Sequence, residues 1–295
     1  MSSEQEFVSV PLSSAAQVAA YSLQNPDNPE IELGQASHRI RIINSWEVHP
    51  GDRILEIGCG QGNCTAVLAE AVGSSGHVDA IDPAPGDYGA PFTLDQAHEF
   101  MSASPIGQRI TWHRDEPTEF LAKGTDVWDA AVLLHCIWYF SSPDDLAHIL
   151  TSLKGRVKRV LVAEYSLRAS KATAMPHVLA AIATATVEAH KAESKENIRT
   201  LLSPSEIKHI AKEAGWTMTK ESYVVPETGL FDGYWEAGGV ASASFTREVE
   251  SIINDPKIAA LARSARDATV SAAENIGGLK NITTMDVWLG TFLSD

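Results

Sequence analysis

Hydrophobic positions along the chain alternate between two periods. Short, nearly continuous apolar runs occur at Arg53–Ile57, His77–Asp82, Arg109–His113, Trp128–Leu134, Lys158–Tyr165 and Trp216–Val225. Runs this short, bounded by turn residues such as Pro50-Gly51-Asp52 and Pro83, predict strands, and the most apolar of them predict strands buried on both faces, as in a parallel sheet. Between them apolar residues return at helical spacing, as in Val67, Leu68 and Ala71, and helix-start signals appear at Thr93-Leu94-Asp95-Gln96, Ser142-Pro143 and Ser203-Pro204-Ser205-Glu206. The first and last have capping-box spacing, and Pro suits a first helical turn. Gly73 and Gly215 close two of the helices. Alternation of this kind predicts an α/β fold, an open parallel sheet with helices on both faces.

Three stretches stand outside the alternation. At the N-terminus, Ser14 to Leu23 predicts a short helix stopped by Asn25-Pro26, and Gly34 to Trp46 a second with Ile40, Ile43 and Trp46 on one face. Lys171 to Ser194 predicts one long Ala-rich helix, and Pro226 to Lys280 one or two more. Ile282 to Phe292 closes the chain as a seventh strand. The expected organisation is one domain over 1–295: an N-terminal helical cap (1–45), a ligand-binding half (46–165), and insertions at 166–202 and 226–280 that form a substrate lid.

Charge narrows the partners. Acidic residues outnumber basic ones 38 to 23, a formal charge of −15 with no Lys/Arg-rich run, so phosphate backbones are repelled and nucleic acid is not expected. The opening MSSEQEFVSV is not a targeting peptide, and the longest apolar run, Ala130 to Phe140, is too short to span a bilayer. No membrane association is expected. Three cysteines (Cys59, Cys64, Cys136) form no disulfide framework, which fits a cytoplasmic protein. Cys59 and Cys64 have no second Cys/His pair at ligand spacing, and no metal is expected.

The densest chemistry lies where the first strand meets a glycine-rich turn, Glu56-Ile57-Gly58-Cys59-Gly60-Gln61-Gly62. A strand, a glycine turn and a helix hold a nucleotide-like ligand against the helix N-terminus. A dinucleotide fingerprint, G-x-G-x-x-G, needs its third glycine at position 63, which is Asn63; the glycine falls at Gly62. Asp82 lies 20 residues beyond Gly62 at the end of the second strand.

The resulting E-x-G-x-G-x-G resembles the first motif of the class I S-adenosylmethionine-dependent methyltransferases, over residues 45–225 and 282–292. The resemblance implies a Rossmann-like, seven-stranded, mostly parallel sheet with N-terminal helices and two helical insertions. It implies S-adenosyl-L-methionine as cofactor and a small-molecule acceptor. The amides of Gly58, Cys59, Gly60 and Gly62 would hold the methionine carboxylate and Glu56 its positively charged end. Asp82, followed by Pro83, would hold the ribose. Asp115, with Glu116 in reserve, would bond the adenine amino group, and Leu134-His135 would flank the methionine portion.

Each role has a plainer alternative: Asp82 as a turn or cap residue, Asp115 and Glu116 as surface turn residues, the N-terminal helices as cover for the sheet. A base is needed only for an acceptor protonated at working pH. His135 is the first candidate, or else a hydrogen-bonded packing histidine, and Tyr139 is the second. Trp138, Tyr139, Phe231, Tyr234 and Trp235 form either an aromatic acceptor pocket or ordinary core. Competing readings are a cofactor-binding protein that does other work (a cyclase or a regulatory protein) and, disfavoured by Asn63, a nicotinamide-dependent oxidoreductase. The oligomeric state has no signal in the sequence.

Overall fold

The computed structural model describes residues 6–23, 28–194 and 196–294. Its strands are β1 (Arg53–Ile57), β2 (His77–Ile81), β3 (Ile110–His113), β4 (Trp128–Leu134), β5 (Val157–Tyr165), β6 (Trp216–Val224) and β7 (Val287–Ser294). They form one sheet in the order β3-β2-β1-β4-β5-β7-β6, parallel from β3 to β5, with β7 antiparallel to both its neighbours. Strand order reverses between β1 and β4, and ligands of such sheets bind in the crevice beyond the strand ends at that reversal.

The period-two alternation of β4 feeds two cores. Ala130, Val132 and Leu134 enter one, and Ala131 and Leu133 the other. The first core is covered by α1 (Ala15–Ala19), α2 (Glu30–Ser45), α3 (Asn63–Val72) and α4 (Leu94–Ser102), the second by α5 (Pro117–Lys123), α6 (Pro143–Ser152) and α8 (Pro204–Glu213). A third cluster joins the two insertions. Ala180, Ala183 and Val187 of α7 (Met175–Glu188) pack with residues of α9 (Asp232–Ala241), α10 (Ala243–Ile252) and α11 (Pro256–Asn275). No described helix is long and apolar enough to cross a membrane.

Several expected elements change. The first helix shrinks to α1 behind a 3-10 turn at Leu12–Ser14; Asn25-Pro26 lies outside the described residues. α2 starts at Glu30, one turn before Gly34, with Glu30 and Glu32 placed favourably against its N-terminal dipole. The helix expected over 171–194 is confined to α7, because Pro176 sets the first turn and the polar stretch after Glu188 offers no apolar face. The second insertion holds three helices, restarted by caps at Ser242 and Asp255. Ser203 caps α8 by accepting from the Glu206 amide at 3.3 Å, without the reciprocal half of a capping box. Residues 282–286 are not sheet: the amides of Thr283 and Asp286 donate to Thr173 and Arg168 of the first insertion.

Candidate active site

β1 runs into Gly58, Gly60 and Gly62, whose φ angles of 74°, 51° and 92° are left-handed and favour glycine. The Gly58 and Cys59 amides both donate to the Ile81 carbonyl, at 2.8 and 3.1 Å, tying the loop to the end of β2. A Cβ at Gly58 would press into the Cys136 side chain, and one at Gly62 would meet Trp112 at 2.8 Å and Met101 at 3.0 Å. A Cβ at Gly60 meets nothing within 4 Å. The loop is packed hard at its ends and open at its centre, the shape of a cradle. Overpacking and left-handed strain should together make Gly62→Ala lose about 2–4 kcal/mol in a urea melt; an unchanged midpoint would mean that Trp112 and Met101 yield freely.

Asp82 stands at the C-terminal end of β2. One carboxylate oxygen accepts from the Gly60 amide at 2.8 Å, the other from Ala84 at 2.9 Å. Pro83 is exposed beside it. The loop that follows folds back over the glycines, where the Phe92 carbonyl accepts from the Gln61 side chain. His98 of α4 was not anticipated. Its Nε2 lies 2.7 Å from the Gly60 carbonyl, and its ring stacks on Trp112 at 3.8 Å.

Glu56 departs from its expected role. It is 2% exposed and turns into the α3-side core, where it accepts from Thr65 Oγ1 at 2.6 Å. It braces the loop from beneath rather than facing the cradle. Burial pushes its carboxyl up to about 7 from the ordinary 4.5, opposed by the Thr65 and Cys64 contacts and the charge of Arg39. A folded value above the unfolded one gives stability that is complete below about 4.5 and lost as pH rises through about 7. Glu56→Gln should remove that loss, so the difference in stability between variant and wild type grows in the variant's favour from pH 5 to 8, by roughly 3 kcal/mol at most. Parallel profiles in urea melts would contradict the assignment.

His135 follows β4 with φ 53°, its amide donating to the Ala163 carbonyl at 2.9 Å. Its ring stacks on Tyr165 (4.3 Å between centroids) and on His38 of α2 (5.6 Å). Nδ1 is 3.4 Å from Glu164 and Nε2 is 3.3 Å from His38 Nε2. Both ring nitrogens therefore have partners. Buried Glu164 also accepts from the amides of Ile137 (3.0 Å) and Tyr165 (2.9 Å). Burial, then the charges of His135, Arg39 and Arg41, hold the His38 pKa well down.

α9 turns Asp232 and Glu236, one helical turn apart, toward the same place. Burial and then the nearby Asp232 charge hold the Tyr165 pKa well up. Burial and then the Asp232 charge push Glu236 up to about 7. Tyr139 is 43% exposed, yet its hydroxyl end is turned inward, and burial followed by Tyr88, Glu236 and Asp232 raises its pKa.

The expected aromatic cluster is only partly assembled. Trp138 is buried and donates to the Leu202 carbonyl at 2.9 Å, anchoring the end of the first insertion. Phe231 and Trp235 pack at 5.9 Å, but Tyr234 and Trp235 are 43% and 47% exposed. Asp115 is ion-paired with Lys123 and lines a surface groove with Phe120 and Arg156. Glu116 lies within electrostatic reach of Asp82. Leu134 is buried at the strand end.

Comparison with known proteins chooses among the readings that this geometry allows. A family model for a methyltransferase domain matches residues 25–221. Methyltransferase phomM' of Diaporthe leptostromiformis is 31% identical over 289 residues, covering 83% of this chain and 74% of that protein. The chain belongs to the class I S-adenosylmethionine-dependent methyltransferases.

This methyltransferase also superposes on the crystal structure of a cyclopropane-fatty-acyl-phospholipid synthase-like protein from Lactobacillus casei, with a TM-score of 0.82 at 31% identity, over 96% of this chain and 100% of that one. The 2-phytyl-1,4-naphtoquinone methyltransferase of Synechococcus elongatus is 33% identical over 110 residues, 36% of this chain and 44% of that protein. The methyltransferase's cradle fits a nucleoside with an amino-acid tail: open space above Gly60, the free amides of the α3 N-terminus, and a carboxylate at the end of β2.

The residues missed from sequence carry unequal signals. Glu164, an acid inside the apolar run VLVAEY, was conspicuous. His38 sits among the buried positions of α2, and Asp232 and Glu236 become a pair only once α9 is known.

Proposed function

We propose that this methyltransferase, a cytoplasmic enzyme in this reading, transfers a methyl group to a small-molecule acceptor. The acceptor binds beyond the ends of β4 and β5, beneath α2 and α9. The observation that carries the reading is the enclosure of His135, which is flanked by His38 from the N-terminal cap and by Tyr165, itself within electrostatic reach of Asp232 of the second insertion. Helices from both segments thus cover the face that a polymer would need open, and the overall charge of −15 opposes a phosphate backbone. The quinone acceptor in the name of the Synechococcus relative supports the same class.

The chain's residues divide the work. The amides at the α3 N-terminus receive the carboxylate end of the cofactor, while Gly58, Cys59, Gly60 and Gly62 shape the loop around it, the Gly58 and Cys59 amides being held by Ile81 rather than free for the carboxylate as expected from sequence. Asp82 exchanges its bonds to Gly60 and Ala84 for the ribose hydroxyls, next to Pro83. Asp115, once it parts from the exposed Lys123, bonds the adenine amino group, with Glu116 in reserve. The backbone of Leu134 and His135 flanks the methionine portion. When bound, S-adenosylmethionine supplies a methyl already activated by its sulfonium, so the protein's task is orientation, which can contribute on the order of 7–11 kcal/mol.

For an acceptor that carries a proton, His135 accepts it once the acceptor displaces one of its present partners, with Glu164 steadying the ring; Tyr139 is the second candidate. Trp138 forms the inner wall, and Phe231, Tyr234 and Trp235 border the entrance. The reading invokes no metal ion.

Incubating the enzyme with cell extract and trideuteromethyl-labelled S-adenosylmethionine tests this. Label should appear in the small-molecule fraction. Label confined to protein or nucleic acid would overturn the reading.

A further inference from the structure

α2 lies across the mouth of the cradle. Glu32 accepts from the side chain of Asn63, the first residue of α3, so this face of α2 is directed at the α3 N-terminus. Positions three and seven further on share that face, and they are Gln35 and Arg39. The Arg39 guanidinium is steadied by Gln35, whose side-chain and main-chain oxygens both accept from Nη1. Its Nε is buried and has no hydrogen-bond partner. Among the described residues no carboxylate lies within ion-pair distance of Arg39. Its charge nevertheless reaches Glu32, Glu56, Cys64 at the start of α3, and Tyr165 at the end of β5. Two of them, Glu32 through its bond to Asn63 and Cys64 within the first turn, stand at the α3 N-terminus. A part-buried guanidinium with a spare donor and no contacting carboxylate is costly unless a ligand completes it.

We propose that Arg39 receives the α-carboxylate of the cofactor's amino-acid end, opposite the amides of the α3 N-terminus. This rests on the cofactor placement given under Proposed function. The planar fork of an arginine matches a carboxylate, and Gln35 fixes its orientation in advance.

Calorimetric titration with two probes tests the assignment: S-adenosylhomocysteine, and 5′-methylthioadenosine, which has the nucleoside without the amino-acid end. Arg39→Ala should weaken S-adenosylhomocysteine about 10- to 100-fold and change 5′-methylthioadenosine by less than about twofold. Arg39→Lys, which keeps the charge and loses the fork, should lie between. Equal weakening of both probes, or undiminished S-adenosylhomocysteine binding, would overturn the proposal. Should Arg39→Ala fail to fold, the same ratio read on Arg39→Lys decides: a selective loss supports the assignment and an equal one overturns it. Wild-type protein that binds neither probe would overturn the functional reading instead.

Discussion

Gly60→Leu should fold and fail to bind its cofactor. The backbone there has φ 51°, which costs a branched or bulky L-residue about 1–2 kcal/mol, but a Cβ there meets no protein atom within 4 Å. What it does meet is the volume above the glycine loop that the ligand needs. A melt of the variant should therefore show modest destabilisation, while S-adenosylhomocysteine binding falls about 100-fold or more, equivalent to roughly 3 kcal/mol. Gly58→Leu, two residues away, should behave oppositely and fail in folding, because its side chain would be driven into Cys136. Two substitutions in one loop with contrasting outcomes separate the part that packs from the part that holds a ligand. Full binding by Gly60→Leu would show that the cradle lies elsewhere.

Glu164→Ala is the second large effect. The buried carboxylate accepts from the Ile137 and Tyr165 amides and stands 3.4 Å from His135 Nδ1. Alanine leaves two buried amides without acceptors, and each costs about 1–3 kcal/mol, so the variant should lose roughly 2–6 kcal/mol in urea melts. It also frees the His135 ring, so whatever protein folds should turn over slowly. Glu164→Gln retains an acceptor oxygen but presents an NH₂ to a site of donors, and should fall between the two. A loss below about 1 kcal/mol for Glu164→Ala would mean that water or a shifted backbone replaces the carboxylate.

The strands and the glycine loop were legible because burial on both faces writes an unmistakable pattern. β1 and β4 match their apolar runs end for end, since no polar face blurs the limits of a central strand. The chemistry was harder to read. Glu56 and Glu164 are both acids near the ends of apolar strands, and sequence alone made the first a ligand contact. Which face each carboxylate occupies follows from the strand pairing: Glu56 turns toward α3, Glu164 toward His135. Asp115 and Glu116 are adjacent, and the ion pair of Asp115 with Lys123 is a contact that no local motif announces. The insertions were least legible, because α7 and α9 to α11 are fixed by packing on each other across long sequence separations. The acidic pair Asp232 and Glu236 therefore emerges from tertiary structure, not from any local motif.

A crystal structure of the protein with S-adenosylhomocysteine tests the central claim most directly. The nucleoside should lie beyond the ends of β1 and β2, with both ribose hydroxyls on Asp82 and the amino-acid end at the α3 N-terminus. A nucleoside bound away from Asp82, with that carboxylate still engaged by Gly60 and Ala84, would contradict it.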